Sequence, residues 1–193
     1  GMSGKITGIL MGLGGIGVLI AIFTSGYRMK RFISFINPWK YATDEGYQLV
    51  HSLYAIGTGG LFGVGLGNSK QKALYMPEPH NDFIFAIICE ELGLIGAIII
   101  ISVFLVLIVA GINVAMRAKD KYGRLLATGI ISVIAVQVVI NIAVVTGSMP
   151  VTGVPLPFIS YGGTSLVFNL AAIGVLLNIS SQTKTHKDEI QEK

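Results

Sequence analysis

The sequence predicts an all-α membrane protein: four transmembrane helices with a long extracytoplasmic loop that contains interfacial or re-entrant helices. Three observations predict it. Hydrophobic residues fill 52% of the 193 positions and charged residues only 12%, a balance outside that of soluble domains. The apolar residues cluster into four long runs instead of recurring on one face, so lipid must cover much of their surface. One long polar loop and short basic segments separate the runs, as positive-inside topology requires.

The first span is placed at 6–23. It carries no charge, and its glycines, among them the small-xxx-small pair Gly8 and Gly12, let neighbouring helices approach closely. It lacks the short apolar core and small-residue cleavage site of a signal peptide. The second span, 83–112, is long enough to tilt or to begin in the interface. The third is 125–146. The fourth, 164–179, is short, and the Pro-rich stretch before it extends the path into the membrane as irregular backbone, which is tolerated only under protein or beside a water-filled cavity.

Together these make one membrane domain over 1–193, with an outer loop at 24–82 and a cytoplasmic tail at 180–193. Arg117, Lys119, Lys121 and Arg124 lie between the second and third spans, and Lys184, Lys187 and Lys193 in the tail. These cations put that loop, the tail and both ends of the chain on the cytoplasmic side. The outer loop is itself basic, with Arg28, Lys30, Arg31, Lys40, Lys70 and Lys72. Long loops obey the charge rule weakly, which is one explanation; the other is that these cations meet an anion such as a lipid phosphate or pyrophosphate. Arg28 and Arg31, three apart, can share a helical face.

Within the loop, Gln48, His51, Ser52 and Ala55 recur at helical spacing beside apolar neighbours, predicting a helix in or near the interface. The glycine-rich run at 57–67 fails as a phosphate-binding loop. It has neither a GxGxxG set after a strand nor the Lys-Ser/Thr pair of a P-loop. A turn or re-entrant segment packed tightly on other helices is the expectation. Cys89 is the single cysteine, so neither a disulfide framework nor a cysteine metal site can form.

The stretch at 76–83 crowds Glu78, His80, Asn81 and Asp82 against the start of the second span. Asp82 is either an N-cap or a general base. Glu90 and Glu91 lie about 12 Å further along the helix at 1.5 Å per residue. Such acids either pair with a cation of a neighbouring helix or are functional. Asp82, Ala86, Cys89 and Glu90 fall broadly on one side, with Glu91 nearly opposite. Gln137, Asn141 and Asn169 are expected to make interhelical hydrogen bonds and are assigned no chemistry. No histidine spacing suggests a metal site.

With these residues in place, the chain resembles the SEDS family of bacterial cell-wall polymerases (FtsW, RodA and SpoVE), closest to the division and sporulation branch. The resembling segments are Asn37-Pro-Trp39, Gly46-Tyr-Gln48, Ala55-Ile-Gly-Thr-Gly-Gly60, Gly63-Val-Gly-Leu-Gly67, Pro77-Glu-Pro-His-Asn-Asp-Phe-Ile-Phe85, Glu90-Glu-Leu-Gly93 and Pro155-Leu-Pro-Phe-Ile-Ser-Tyr-Gly-Gly163. Several such segments in family order are very specific. Family members are about twice as long with ten spans, so the chain looks like the C-terminal half.

The resemblance implies a peptidoglycan glycosyltransferase that polymerises lipid II, the undecaprenyl-pyrophosphate-linked disaccharide-pentapeptide. It places the catalytic aspartate at Asp82, with Asn81 where the family usually has Thr. It also makes Arg28, Arg31, Lys40, Gln48, Glu78, His80, Glu90 and Ser160 candidates for substrate binding. The implied location is the bacterial cytoplasmic membrane, and the implied protein partner is a class B penicillin-binding protein. No nucleic acid is expected. The one cofactor considered is a divalent cation at the pyrophosphate. Two rivals come from other classes. A lipid II flippase would use Glu90 as a proton-linked acid, and a non-catalytic scaffold for the penicillin-binding protein would tolerate loss of Asp82.

Overall fold

The computed structural model describes residues 4–72 and 81–191. Every regular element among them is helical. The chain divides into two compact units, Gly1–Val50 and His51–Lys193.

In the first unit, helix α1 (Gly4–Thr24) covers the run expected as the first span. Helix α2 (Gly26–Ile36) follows after Ser25. It carries Arg28, Lys30 and Arg31 alongside exposed Phe32, Ile33 and Ile36, the mixture of cations and large apolar groups that suits a helix at a membrane surface. The spacing of Arg28 and Arg31 is thus realised on one helix. A single 3-10 turn, Pro38–Tyr41, opens with Pro38 at its first position and with the Asn37 side chain accepting from Lys40 N–H. The Lys40 ammonium lies 5.9 Å from the centre of the Tyr41 ring. Lys30 and Glu45 approach to 3.9 Å, a mostly exposed pair of little energetic weight. At Gly46 the backbone turns so tightly that an added Cβ would stand 2.8 Å from the carbonyl oxygens of Pro38 and Tyr41. Helix α3 (Tyr47–Gly59) starts directly after it, with Gln48 half-buried in its first turn.

In the second unit, α4 (Ile84–Arg117) packs on α5 (Lys121–Val145), and α6 (Gly163–Gln191) packs on both. Three stretches are long and apolar enough to cross a membrane, Ile84–Arg117, Lys121–Val145 and Gly163–Gln182. Only 17–33% of their most apolar windows is buried, which leaves most of each helix to be covered by lipid or another chain. Helix α4 runs five residues beyond the expected end of the second span, to Arg117, and the polar tail continues α6. Asp120 starts α5 by accepting from Gly123 N–H at 3.2 Å, the favoured N-cap arrangement.

Two apolar clusters hold the bundle, one at each end. Phe83, Phe85, Ala86, Ile87, Val144, Val145 and Leu156 lie in the cluster at the start of α4 and the end of α5. Ala115, Ala118, Ala127, Leu176 and Ile179 form the other. Between them α4 and α5 approach closely: a Cβ on Gly111 would meet Ile131 Cδ1 at 2.6 Å.

Helix α4 is broken at Gly93, whose φ of 68° lies outside the helical region. In a continuous helix the carbonyls of Glu90 and Glu91 would accept from the N–H groups of Leu94 and Ile95. Instead they accept from Val64 at 2.9 Å and Gly65 at 3.0 Å, while Leu94 and Ile95 donate to Gly60 at 2.9 Å and Leu61 at 3.3 Å. The glycine-rich segment therefore replaces the two missing helical bonds with four of its own. It can do so because it has no side chains in the way. A Cβ on Gly59 would stand 1.9 Å from the Cys89 carbonyl oxygen, and one on Gly63 2.1 Å from that of Glu91. The tight packing expected of the 57–67 run is present.

Candidate functional site

Asp82 lies two residues before α4, half-buried. The N-cap position falls on Phe83, one residue later than the capping alternative for Asp82 required. The surroundings of Asp82 come from distant parts of the chain. Asn141, in the last two turns of α5 and 1% exposed, donates both Nδ2 protons: one to the Asp82 carbonyl at 2.8 Å, the other to the Val154 carbonyl at 2.8 Å. Its Oδ1 is buried with no hydrogen-bond partner among the described residues. Next to Val154, Gly153 adopts a φ of +74°, and a Cβ there would stand 3.3 Å from Asp82 Oδ2. The left-handed glycine thus brings the α5–α6 connection up to the carboxylate.

That connection is held in a particular shape. Leu156 N–H donates to Ser160 Oγ at 2.8 Å, and Ser160 N–H donates back to the Leu156 carbonyl at 3.0 Å. Phe158, inside this loop, has a φ of 65°, and it is the one non-glycine residue with positive φ among the described residues. Such strain persists only where surrounding structure enforces it, and it concentrates at functional sites. An open cleft of about 410 Å³ is lined by Ile84, the loop from Phe158 to Gly163, and Leu166. It begins two residues from Asp82.

Glu90 takes part in a different arrangement. It is 2% exposed, and its carboxylate accepts from Ser69 Oγ, from Lys70 N–H at 3.2 Å and from Gln71 N–H at 3.4 Å. Ser69 Oγ also accepts from Lys72 N–H at 3.0 Å. His51 Nδ1 lies 2.7 Å from Gln71 Oε1. The start of the 69–72 turn is therefore anchored by an acid from α4 and a histidine from α3. Among the described residues no cation pairs with Glu90, and its partners are the hydroxyl and amides of the turn. Glu91 has a buried Oε1 with no partner among the described residues.

Of the nine residues singled out from sequence, Asp82 and Ser160 come into the neighbourhood of the α4 start, and Glu90 does not share their partners. Arg28, Arg31, Lys40 and Gln48 belong to the first unit. Glu78 and His80 lie outside the described residues. Among the described residues no group of three His, Cys, Asp or Glu side chains could hold a metal ion. The residue that sequence reasoning left without a role is Asn141. Its signal was position: α4 and α5 are antiparallel, so a polar group near the end of one span meets the start of the other.

The chain belongs to the FtsW/RodA/SpoVE family of cell cycle proteins, whose profile matches residues 1–185. It is 53% identical over 177 residues to the stage V sporulation protein E of Bacillus subtilis, covering 91% of this chain and 48% of that protein. It is 48% identical over 168 residues to a probable peptidoglycan glycosyltransferase FtsW of Geobacter sp. strain M18, covering 87% and 46%. Among solved structures, a chain of a peptidoglycan synthase complex, described for its coordination of polymerization and crosslinking, superposes with a TM-score of 0.71 at 27% identity, covering 92% of this chain and 49% of that one. A mutant of the rod shape determining protein RodA of Thermus thermophilus gives a TM-score of 0.53 at 32% identity, covering 68% and 40%. The chain spans about half the length of the curated relatives it matches.

Proposed function

We propose that the protein to which this chain belongs is a peptidoglycan glycosyltransferase that joins lipid II molecules into glycan strands, with Asp82 as its general base. The observation that carries this is the environment of Asp82: a half-buried residue in a family motif, its main-chain carbonyl bonded by Asn141, its carboxylate beside Gly153, and an open cleft beginning two residues along the chain. Asp82 takes the proton of the acceptor sugar hydroxyl while that oxygen attacks the anomeric carbon of the donor. The carbon inverts from α to β, and the undecaprenyl pyrophosphate leaves. A positioned carboxylate is suited to that proton transfer.

The leaving pyrophosphate needs cationic charge. Arg28, Arg31 and Lys40 are the proposed source, with Gln48, Glu78 and His80 as further substrate contacts; this rests on charge and on place in the sequence. Ser160 shapes the cleft wall through its bonds to Leu156.

The proposed topology is four spans, with α1 as the first, in one membrane domain of the bacterial cytoplasmic membrane. Both ends of the chain and the loop bearing Arg117, Lys119, Lys121 and Arg124 face the cytoplasm. Asp82 stands just before the opposite end of α4, which in this topology faces outward. A class B penicillin-binding protein is the proposed partner, as a neighbour of the solved synthase complex's kind would require for crosslinking.

The transport alternative gains nothing from Glu90, whose carboxylate is already occupied by Ser69, Lys70 and Gln71. Labelled lipid II supplied to vesicles containing the full-length protein separates the readings. Lengthened glycan supports the polymerase. Lipid II that crosses the bilayer without lengthening supports transport and overturns it.

A further inference from the structure

Asn141 is buried, uncharged and contributes no atom to the cleft, yet both protons of its amide are committed to the segments that meet at Asp82. Its two acceptors are 13 and 59 residues away in the chain. One is the main chain of Asp82 itself. The other is Val154, next to Gly153, where an added Cβ would stand 3.3 Å from Asp82 Oδ2. Two carbonyl oxygens have no attraction for one another, so a double donor between them links the two segments by hydrogen bonds, beside the apolar packing of Phe83 and Leu156. Reversing the amide would set its own oxygen against both carbonyls, so its orientation is fixed.

We infer that Asn141 is a positioning residue for the reaction: its carboxamide holds the Gly153–Val154 backbone to the start of α4 and thereby aims the Asp82 carboxylate. This rests on the reading of Asp82 as the base. The geometry also supplies an internal control. Ser52 Oγ, 0% exposed, donates to the Val145 carbonyl at 2.7 Å, a buried bond to the same end of α5 that touches neither Asp82 nor residues 153–154. Loss of either bond loosens the bundle, but only the Asn141 bonds run to the main chain of Asp82 and to Val154. Small displacements of a reacting group can cost about 100-fold in rate.

The test uses the full-length protein with lipid II, comparing Asn141→Ala, Gly153→Ala and Ser52→Ala for kcat, KM and thermal stability. The expected result for Asn141→Ala is a fall in kcat of about 100-fold with KM changed by less than about threefold. Ser52→Ala should lose comparable stability and keep kcat within about threefold. Gly153→Ala serves if Asn141→Ala does not fold, since its methyl, on a backbone of φ +74°, would press on Asp82 Oδ2 while the Asn141 side chain is kept; it too should lower kcat while sparing KM. A wild-type kcat in Asn141→Ala overturns the inference, as does an equal loss of kcat in Asn141→Ala and Ser52→Ala, or a wild-type kcat in Gly153→Ala. An inactive Asp82→Asn protein beside a fully active Asn141→Ala one removes the positioning role alone. An active Asp82→Asn protein removes the base and the positioning role together.

Discussion

The N–H of Val64 donates to the carbonyl of Glu90 at 2.9 Å, in the place where Leu94 would donate in an unbroken helix. With its three companion bonds it makes the glycine-rich segment a structural part of α4. Backbone polar groups freed by a helix break have to find partners in this way.

Glycine substitutions in this splice should therefore differ in cost. Gly63→Ala places a Cβ against the Glu91 carbonyl at a φ of +78° and should destabilise by about 3 kcal/mol or more. Gly60→Ala has a φ of +54° but open space around the new Cβ, so only the backbone conformation is penalised, by about 1–2 kcal/mol. Unfolding of the two full-length variants in detergent should show this order.

Glu90 should behave as an anchor. Glu90→Leu leaves Ser69 Oγ and the amides of Lys70 and Gln71 without their acceptor and should cost about 3 kcal/mol or more. Glu90→Gln keeps the volume and one acceptor oxygen and should cost less. Hydrogen exchange at the Lys70 and Gln71 amides should accelerate in both, more in Glu90→Leu.

Ser160 should affect shape before binding. Ser160→Ala deprives the Leu156 N–H of its acceptor and should cost about 1–2 kcal/mol, measured as a lower unfolding temperature. Ser160→Thr, which retains the oxygen, should recover most of that loss.

The topology can be tested by labelling from outside the cell. Leu66 is 75% exposed and Tyr122 74% exposed. In a full-length protein whose other cysteines are removed except buried Cys89, a Leu66→Cys variant should react with an impermeant maleimide in intact cells. A Tyr122→Cys variant should react only after permeabilisation.

Much of this was legible in the sequence because the bilayer demands long apolar runs: α4, α5 and the first part of α6 follow the spans expected at 83–112, 125–146 and 164–179. The break at Gly93 was not legible, because glycine is common inside membrane helices and one more carries no signal of interruption. Its partner segment was flagged as tightly packed from glycine content alone, without its partner. Asp82 was found through its motif and its place beside an apolar run. Asn141 was missed because a polar residue in a span ordinarily bonds to a neighbouring helix, whereas here it bonds to two main-chain carbonyls that only folding brings together. Glu90 was read as a partner for substrate or cation, since spacing along a helix does not reveal that a hydroxyl and two amides 19–21 residues upstream would fold back onto it.

The central claim is that Asp82 removes the acceptor proton. The most direct measurement is the initial rate of glycan growth from labelled lipid II by the full-length protein and its Asp82→Asn form, at equal abundance in the membrane. The account predicts that the amide variant inserts normally and makes no polymer. Chains of normal length formed at the unmodified rate would contradict it.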